Sequence, residues 1–310
     1  MVSPARVLCI MGPTGVGKTD LALEIAQSLP CQIISVDSAM IYRGMSIGTA
    51  KPDAKTLAQV PHHLIDICDP TERYSAVQFC QAATNHIKNI IASGDTPLLV
   101  GGTMLYFQAL QKGLSPVPPS NAEIRAQLSA DAQVHGWEAL HRRLSQIDPQ
   151  AGARIHPNDP QRIQRALEVY LIGGKTLSQY WESTQKVPLA YDIVNIVLIP
   201  QDRAVLHQRI EQRLQSMFAI GFIDEVEQLY RQGDLNLTCP SIRTVGYRQI
   251  WQYLMGECSK QEMSDKAMYA TRQLAKRQLT WLRKWQRHYA DLHMIDPFSK
   301  NLLARTMTLL

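Results

Sequence analysis

The sequence has few of the features that mark secreted, metal-stapled or membrane proteins. Its six cysteines are scattered, and no two of them form a C-x-x-C pair. Neither a zinc ribbon nor a disulfide scaffold is therefore indicated. No apolar run approaches the about 20 residues that a membrane-spanning helix needs, and the chain begins without a charged-then-apolar leader. We therefore expect a cytoplasmic protein with no membrane partner.

Acidic side chains are missing from one long stretch near the end of the chain. Residues 266–290 contain seven Lys or Arg and no Asp or Glu, although the whole chain has 27 acids against 32 Lys and Arg, a net charge of +5. Tyr269, Trp281, Trp285 and Tyr289 are interleaved with these cations. An acid-free basic surface favours a polyanion such as RNA. The alternative is that the tryptophans belong to the core and the charges form a solvated face.

A carboxylate is also missing where a nucleotide hydrolase would need one. Residues 96–100 read as an apolar strand that runs into Gly101-Gly102-Thr103 instead of an Asp or Glu. A typical ATPase places an acid at the end of such a strand to orient Mg2+ and water. This absence argues against a motor ATPase and leaves small-molecule kinases and other users of pyrophosphate.

The strongest positive signal is GPTGVGKT, which directly follows the predicted strand 7–11. It fits the phosphate-binding loop G-x-x-x-x-G-K-[ST] in its strand–loop–helix context. Glycines let the backbone approach a ligand closely, and free N–H groups at the start of the next helix point at an anion. Lys18 adds a charge and Thr19 a hydroxyl ligand for Mg2+. The pattern predicts a diphosphate or nucleotide site, without deciding for ATP, made of Gly12, Pro13, Thr14, Gly15, Val16, Gly17, Lys18 and Thr19.

Apolar runs alternate with helical patterns along the first part of the chain. Strands are predicted over 7–11, 32–36 and 96–100, and helices over 18–28 and 75–93. This order predicts a parallel sheet flanked by helices, an α/β fold like that of P-loop NTPases. Later elements are a strand over 192–199 and helices over 121–147, 160–172, 202–219, 222–231 and 262–290. After the break SPVPPS, we predict a helical insertion over 114–190 in a core of 1–113 and 191–310.

Asp37 follows the predicted strand 32–36 and lies where parallel sheets bind their ligands. Its carboxylate is a candidate Mg2+ ligand, or a base that takes a proton from a nucleophile. The alternative is a residue that only caps a turn with Ser38.

Two arginines lie four residues apart on the predicted helix 202–219. Arg209 and Arg213 therefore share a helix face and form a candidate phosphate clamp. Surface pairing with Glu211 or Asp202 is the alternative.

Several segments together resemble one enzyme family over residues 6 to about 290. GPTGVGKT, DSAMIYRGMSIGTAKP, PHHLID, GGTMLY, PSIRTVGYRQ and KRQLTWLRKW stand in the order and spacing of tRNA dimethylallyltransferases, the tRNA isopentenyltransferases. The chain resembles the shorter bacterial form, which has no C-terminal zinc finger. It departs from the pattern at Ser46, where an Asp is frequent, and at Met104, where a Gly is common.

The resemblance implies a prenyltransferase. The family moves a dimethylallyl group from dimethylallyl diphosphate to the exocyclic N6 amine of the adenosine 3′ of the anticodon and releases diphosphate, with Mg2+ as cofactor. The Asp that matches Asp37 accepts the proton of the amine. Lys18, Thr19 with Mg2+, and the Arg that matches Arg213 screen the departing charge. The target base is extruded into a channel, and the helical insertion swivels over the substrate.

The resemblance also implies contacts with the anticodon stem-loop of tRNA. They lie in four segments and at two single positions, and three of the segments are the basic strings QRIQR, RTVGYR and KRQLTWLR. Tyr247 and Trp281 are candidates for stacking on bases. The set is Asp37, Ser38, Ala39, Met40, Thr103, Arg125, Gln161, Arg162, Ile163, Gln164, Arg165, Arg243, Thr244, Val245, Gly246, Tyr247, Arg248, Lys276, Arg277, Gln278, Leu279, Thr280, Trp281, Leu282 and Arg283.

Two other functions use the same loop. A small-molecule or nucleotide kinase would bind ATP there, with an arginine-rich lid and no need for an acid-free basic helix. A non-catalytic nucleotide switch would bind RNA without chemistry. The phosphate loop, the Asp37 segment and SIRTVGYRQ occur together in this chain, which favours the transferase. Nothing in the sequence demands more than a monomer.

Overall fold

A parallel six-stranded sheet organises the chain, as seen in a computed structural model that describes residues 5–183, 191–286 and 291–310. The strand order is β3-β2-β4-β1-β5-β6, and every neighbouring pair is parallel. The predicted α/β fold with a P-loop NTPase-like sheet is therefore confirmed. The strands are β1 (Arg6–Met11), β2 (Cys31–Val36), β3 (His62–His63), β4 (Thr96–Gly101), β5 (Asp192–Leu198) and β6 (Leu292–Ile295).

The helices fall into two compact units of the chain, Met1–Leu110 with Leu189–Leu310, and Gln111–Pro188. The first unit carries the sheet and the second carries α5 to α8. The helices are α1 (Lys18–Ser28), α2 (Ala54–Gln59), α3 (Ala76–Ala92), α4 (Met104–Lys112), α5 (Ala122–Ile147), α6 (Pro149–Arg154), α7 (Pro160–Gly173), α8 (Leu177–Glu182), α9 (Arg203–Ala219), α10 (Phe222–Gln232), α11 (Tyr247–Leu254), α12 (Lys260–Gln286) and α13 (Leu302–Met307).

Both faces of the sheet are buried, as expected for parallel strands. Side chains alternate along β1, so that Val7, Cys9 and Met11 belong to one apolar cluster while Leu8 and Ile10 belong to another. Helices α3 and α4 cover the first face, and α1, α9 and α13 cover the second. The carboxyl edge of the strands is left for the loops that carry the predicted site.

Helix α12 contributes to both layers of the core. Leu282 and Trp285 pack in the cluster on the α3 face, whereas Ala275 and Leu279 pack in the cluster on the α1 face. A third cluster joins α9, α10 and α11 to the N-terminal half of α12. Because α12 is anchored on both faces, its middle turns are fixed next to the carboxyl ends of the strands.

The structure differs from the predicted elements mainly where elements are short. The strand β3 has two residues and the helices α2, α6, α8 and α13 have six each, too few for a periodic signal. The predicted helix 121–147 is interrupted at Gly136, whose φ of 77° and ψ of 156° are not helical. Helix α12 begins at Lys260, and residues 287–290 of the predicted helix lie outside the described residues.

Two further observations concern the chain as a whole. All six cysteines are free thiols. Among the described helices, none has a segment that is both long and apolar enough to cross a membrane.

Candidate active site

A cavity of about 1540 Å³ lies at the carboxyl ends of β1, β2 and β4. Pockets for one small ligand measure roughly 300–1000 Å³, so this cavity has room for more than one. Most of the predicted site residues of the first unit line it together, although they come from distant parts of the chain. They are Thr14, Gly15, Val16, Gly17, Lys18, Thr19, Asp37, Ser38, Ala39, Met40, Thr103, Arg213, Arg243, Thr244, Val245, Gly246, Arg277, Gln278 and Trp281.

The predicted phosphate loop has the backbone that its glycines allow. Gly15 and Gly17 have φ values of 80° and 90°, in the left-handed region that other residues rarely adopt. Helix α1 begins immediately afterwards at Lys18. The Lys18 ammonium donates to the carbonyl oxygen of Pro13 at 2.8 Å, while Gly12 and Pro13 themselves are buried. The loop therefore wraps around its own lysine at the start of a helix, where an anion is favoured.

Gln278 of α12 connects two strand ends through its side-chain amide. Its Oε1 accepts from the backbone N–H of Thr14 at 2.9 Å, and its Nε2 donates to the carbonyl oxygen of Gly102 at 2.9 Å. Gln278 was predicted to contact tRNA, and its amide is used within the protein to hold the phosphate loop against the end of β4. No local sequence pattern signals this bridge, because its partners lie 264 and 176 residues away.

The missing acid after β4 has a steric reason. Gly101 is paired with Val36 in the neighbouring strand β2, and a Cβ at position 101 would overlap the Val36 carbonyl oxygen. A Cβ at Gly102 would overlap Nε2 of Gln278, so a side chain there would displace the amide that holds the phosphate loop. Position 101 therefore has no space for a carboxylate that would orient a hydrolytic water, and a carboxylate at position 102 would break the Gln278 bridge.

Asp37 lies directly after β2 and lines the cavity. Its Oδ1 accepts from the backbone N–H groups of Ala39 at 2.8 Å and Met40 at 3.3 Å. Asp37 therefore caps this turn through Oδ1, and whether capping is its only role stays open to experiment. A carboxylate has a second oxygen for another partner, so capping and chemistry are compatible in this residue.

Thr103 secures the segment after Asp37 from the neighbouring strand end. Its Oγ1 accepts from the backbone N–H of Ser38 at 3.1 Å, and its own N–H donates to the Val36 carbonyl at 3.2 Å. The segment Asp37–Met40 is therefore held from both β2 and β4.

The two arginines of α9 both line the cavity, but their environments differ. Arg209 donates through Nε to the Gly15 carbonyl at 3.2 Å, and its guanidinium lies 5.3 Å from the ring centre of Phe298. Arg213 is half-buried, and burial lowers its pKa despite the carboxylates of Asp37 and Asp20.

The predicted alternative for these arginines was surface pairing with Glu211 or Asp202. Within the described residues Glu211 pairs with Arg272 instead, at 3.1 Å, and Asp202 accepts from the backbone N–H of Ala204 at the start of α9. Neither acid pairs with Arg209 or Arg213 there, so this alternative is wrong.

Lys18 is the most strongly perturbed cation of the cavity. Burial first and the positive charge of Arg213 second lower its pKa to about 8, although the Asp37 carboxylate acts in the opposite direction. The ordinary lysine pKa is 10.5. Two cations in one cavity form a site whose charge an anionic ligand would compensate.

Four side chains of the predicted tRNA-contact set are not available to RNA. Ile163, Tyr247, Leu279 and Leu282 are at most 5% exposed, because each is part of an apolar cluster of the core. These four predictions are corrected for their side chains. In QRIQR on α7 and KRQLTWLR on α12, apolar residues face inward while neighbouring polar residues are exposed, which is the ordinary pattern of an amphipathic helix.

Tyr247 has a structural role that the sequence did not signal. Its ring packs edge-on against Phe222 at 5.0 Å, and its hydroxyl donates to Oε1 of Glu225 at 2.5 Å. Burial and the Glu225 carboxylate raise the pKa of Tyr247. Glu225 also accepts from the backbone N–H groups of Ser46, Ile47 and Gly48 at 2.6–3.2 Å. Ser46 uses only its backbone here, so its departure from the family pattern leaves this contact intact.

The middle of α12 presents its predicted RNA residues on separate faces. Arg277, Gln278 and Trp281 line the cavity, and Trp281 is half-buried. Trp285 is 3% exposed and belongs to the core. The core alternative is thus right for Trp285, whereas Trp281 packs against the same core cluster and also lines the cavity. Lys276, Thr280 and Arg283 lie outside the cavity lining and are exposed.

The insertion unit holds its predicted contact residues around a buried acid. Glu168 accepts from Arg125 Nε at 2.9 Å and from Arg165 Nη1 at 2.7 Å. Burial acts to raise the pKa of Glu168, but the hydrogen bonds from Arg165 and Arg125 outweigh it and the pKa is lowered. Gln164 donates to the Arg125 carbonyl at 2.9 Å. Gln161 and Arg162, at the start of α7, are exposed. The residues of this unit that stay predicted RNA contacts are Arg125, Gln161, Arg162, Gln164 and Arg165.

A phosphate loop, a carboxylate at the next strand end, two half-buried cations and a strand β4 that ends without an acid define a P-loop transferase that handles a phosphorylated substrate. Within that class, the profile of the family described as IPP transferase matches residues 40–285. The chain belongs to this family, and it is a prenyltransferase.

Relatives with known names are similar to this chain over almost its whole length. A tRNA dimethylallyltransferase of Thioalkalivibrio sulfidiphilus (strain HL-EbGR7) is 54% identical over 297 residues, 96% of this chain and 92% of the relative. The tRNA isopentenylpyrophosphate transferase of Bacillus halodurans has a solved structure with a TM-score of 0.69 and 37% identity, covering 98% and 94% of the two chains. A eukaryotic dimethylallyltransferase acting on tRNA has a TM-score of 0.82 and 26% identity, covering 98% and 78%.

Proposed function

We propose that this enzyme transfers a dimethylallyl group from dimethylallyl diphosphate to the N6 amine of the adenosine 3′ of the anticodon in tRNA. The observation that carries the proposal is that Asp37 and the phosphate loop line one cavity, with Lys18 and Arg213 beside them. A base and a diphosphate cradle within one cavity are what a displacement of diphosphate by a neutral amine requires. The family names of the relatives support the transferred group and the tRNA acceptor.

The diphosphate end of the donor would occupy the phosphate loop. Backbone N–H groups of residues 15–19 and the Lys18 ammonium would bind its oxygens. During the reaction the bond between the allylic C1 and the diphosphate oxygen breaks, and negative charge grows on the leaving diphosphate. The guanidinium of Arg213 and the ammonium of Lys18 would stabilise that charge in a half-buried setting, where charge–charge interactions are stronger than in water.

The acceptor end would lie at Asp37. The N6 nitrogen forms the new bond to C1, and its surplus proton passes to the carboxylate of Asp37. The hydrogen bonds from Ala39 and Met40 fix one carboxylate oxygen and so orient the other. Because an adenosine amine in a folded loop is not exposed to a cavity at a sheet edge, the base would leave the loop and enter the cavity.

The residues around the loop fit a Mg2+ ion. They offer the Thr19 hydroxyl and the Asp37 carboxylate, oxygen ligands of the kind that Mg2+ prefers. Mg2+ is usually held by one or two protein oxygens together with substrate phosphates, and the described residues contain no cluster of three or more His, Cys, Asp or Glu ligands. When bound, the ion would neutralise diphosphate charge, with Thr19 as its protein ligand and Asp37 as the alternative one.

Replacing Thr19 by Ala should raise the Mg2+ concentration needed for half-maximal transfer by about tenfold, because one oxygen ligand is lost. Thr19→Ser keeps the hydroxyl and serves as the matched control, with a metal requirement near that of the wild type. Initial rates measured across a Mg2+ titration at saturating donor and tRNA would test this. The same half-maximal concentration in Thr19→Ala and wild type would remove Thr19 from the metal site.

The rate of donor capture should fall in alkaline solution because of Lys18. Its pKa of about 8 lies below the ordinary 10.5, so the free enzyme loses this charge as pH rises through about 8. We expect kcat/KM for dimethylallyl diphosphate to fall by about tenfold per pH unit above that point. Lys18→Met should have a lower but flat profile between about pH 7 and about pH 9.5. A wild-type profile that is flat over this range would contradict the assignment.

A transfer assay tests the proposed function directly. Unmodified tRNA, Mg2+ and labelled dimethylallyl diphosphate are incubated with the enzyme, and ATP hydrolysis is measured in parallel. Label in tRNA adenosine without ATP turnover is the expected result. ATP turnover without label in tRNA would instead favour the kinase or the nucleotide switch. The absence of an acid directly after β4 argues against ATP hydrolysis.

The remaining parts of the proposal concern the setting of the reaction. The exposed residues of the predicted contact set would bind the anticodon stem-loop, with Trp281 as the stacking side chain. The enzyme would act as a monomer in the cytoplasm, where its free thiols stay reduced.

A further inference from the structure

A second groove of about 270 Å³ lies between α9 and α12 and does not belong to the catalytic cavity. Its floor is apolar and consists of Leu206, Ala275 and Leu279. Its rim is basic on both sides and carries Arg203 and His207 from α9 and Arg272, Lys276 and Arg283 from α12. The two cavities use neighbouring faces of the same helix, since Gln278 and Trp281 line only the catalytic one.

Of the four Lys and Arg side chains of this groove, only Arg272 has an ion-pair partner among the described residues, Glu211. The lining of the groove includes no Asp or Glu. Arg203, Lys276 and Arg283 are exposed, and none of them takes part in an ion pair among the described residues. Three unpaired cations around one concave site attract an anion rather than the individual counterions of a flat surface.

Arg272 adds a buried donor without a partner. Its Nη2 donates to Glu211 at 3.1 Å, whereas its Nε is shielded from solvent and makes no hydrogen bond within the described residues. A guanidinium carries five N–H donors in a fixed fork, so the pairing with Glu211 leaves Arg272 further donors. An arginine that lines a groove in this way is suited to a phosphate oxygen.

We propose that this groove binds a backbone phosphate of the tRNA, away from the base that reacts. This inference rests on the proposed function. It adds Arg203, His207 and Arg272, which belong to none of the segments predicted to contact tRNA. RNA is favoured over a free polyphosphate because Arg277 and Trp281, both predicted tRNA contacts, line the catalytic cavity on the adjacent face of α12. Lys276 and Arg283 span about 10 Å along the helix, so the groove follows a strand rather than enclosing a single small anion.

Arg203→Glu is the first test, because Arg203 is exposed at the start of α9, where an acid stabilises the helix. Binding of an unmodified tRNA transcript is measured by fluorescence anisotropy over a range of salt concentrations. We expect a Kd about tenfold higher, and a slope of log K against log salt smaller in magnitude by about one. Transfer at saturating tRNA should keep the wild-type kcat.

Two further variants show whether the effect comes from the groove or from a change in net charge. Arg272→Gln should give the same two changes, since it removes a cation from the groove lining. Lys88→Glu on α3 is the matched charge reversal outside both cavities, and it should leave the salt slope as in the wild type. An unchanged slope and Kd in both Arg203→Glu and Arg272→Gln would overturn the proposal. A Kd change as large in Lys88→Glu would do the same, because the effect would then be one of net charge.

A separate titration distinguishes binding of a free anion from binding of RNA. Inorganic triphosphate is titrated into enzyme whose phosphate loop is saturated with dimethylallyl diphosphate. Loss of triphosphate binding in Arg203→Glu with normal tRNA binding would assign the groove to a free polyphosphate and overturn the RNA assignment. Absence of transfer and tRNA binding in the wild type would instead reject the proposed function itself. Normal transfer with an unaltered salt slope in the variants would reject only the groove.

Discussion

Replacing Asp37 by Asn should lower kcat by about 10²–10⁴, the usual contribution of a general base, while the Kd for tRNA stays close to that of the wild type. The substitution is chosen because an amide oxygen can still accept from the backbone N–H groups of Ala39 and Met40. The turn is therefore kept and only the proton acceptor is removed. Single-turnover transfer and tRNA binding, both measured on the same preparation, separate chemistry from binding.

Asp37→Ala serves as the comparison for this experiment. It removes the base and the two hydrogen bonds of the turn together, so it should lose stability as well as activity, by about 0.5–1.5 kcal/mol for each lost hydrogen bond. If Asp37→Asn retains nearly the full rate, Asp37 is only a structural cap and the base must be sought elsewhere in the cavity. If it loses tRNA binding to the same extent as rate, Asp37 contributes to binding and not to proton transfer.

The second large effect is expected for Arg213→Gln, which should lower kcat by about 10²–10³, as removal of one oxyanion-stabilising donor does in other enzymes. The guanidinium is half-buried and lies near Lys18 and Asp37. Charge on the diphosphate grows as the C1–O bond breaks, so this interaction is stronger in the transition state than with bound donor. The loss should therefore appear in kcat more than in KM for the donor.

Arg209→Gln is the matched control on the same helix. Its guanidinium bonds the Gly15 carbonyl and lies over Phe298, so it supports the loop without being buried beside Lys18. We expect a kcat loss of less than about tenfold, within the range of an exposed charge. Equal losses in Arg209→Gln and Arg213→Gln would mean that the two arginines clamp the diphosphate together. A rise of KM alone in Arg213→Gln would contradict a role in the transition state.

Local signals were sufficient for the long elements and for the phosphate loop. Helix α1 occupies the predicted residues 18–28, and α3 begins after Ser75, whose side chain and that of Gln78 form a capping box. Strong periodicity and capping act over a few residues, so they can be read directly from the chain. The two-residue strand β3 has no such signal, since it forms only by pairing with β2.

The contact residues show the limit of reading a motif as one surface. The segment KRQLTWLR is a single string in the sequence, but α12 distributes it over the catalytic cavity, the core and the second groove. A helix turns by about 100° per residue, so adjacent residues of the segment face different partners. Which face meets which partner depends on how α12 packs on both layers of the sheet, and this packing involves residues far away in the chain.

By itself, the sequence determined the α/β class, the phosphate loop and the candidate base, because glycine spacing, strand–helix alternation and strand-end carboxylates are local properties. The tertiary structure alone decided that Gln278 braces the loop, that Gly101 leaves no space for an acid, and that Tyr247 is buried against Glu225. It also brought Arg203 and Arg272 to one groove. Each of these depends on close contacts between segments many residues apart, and such contacts are set by packing of the whole fold rather than by any local pattern.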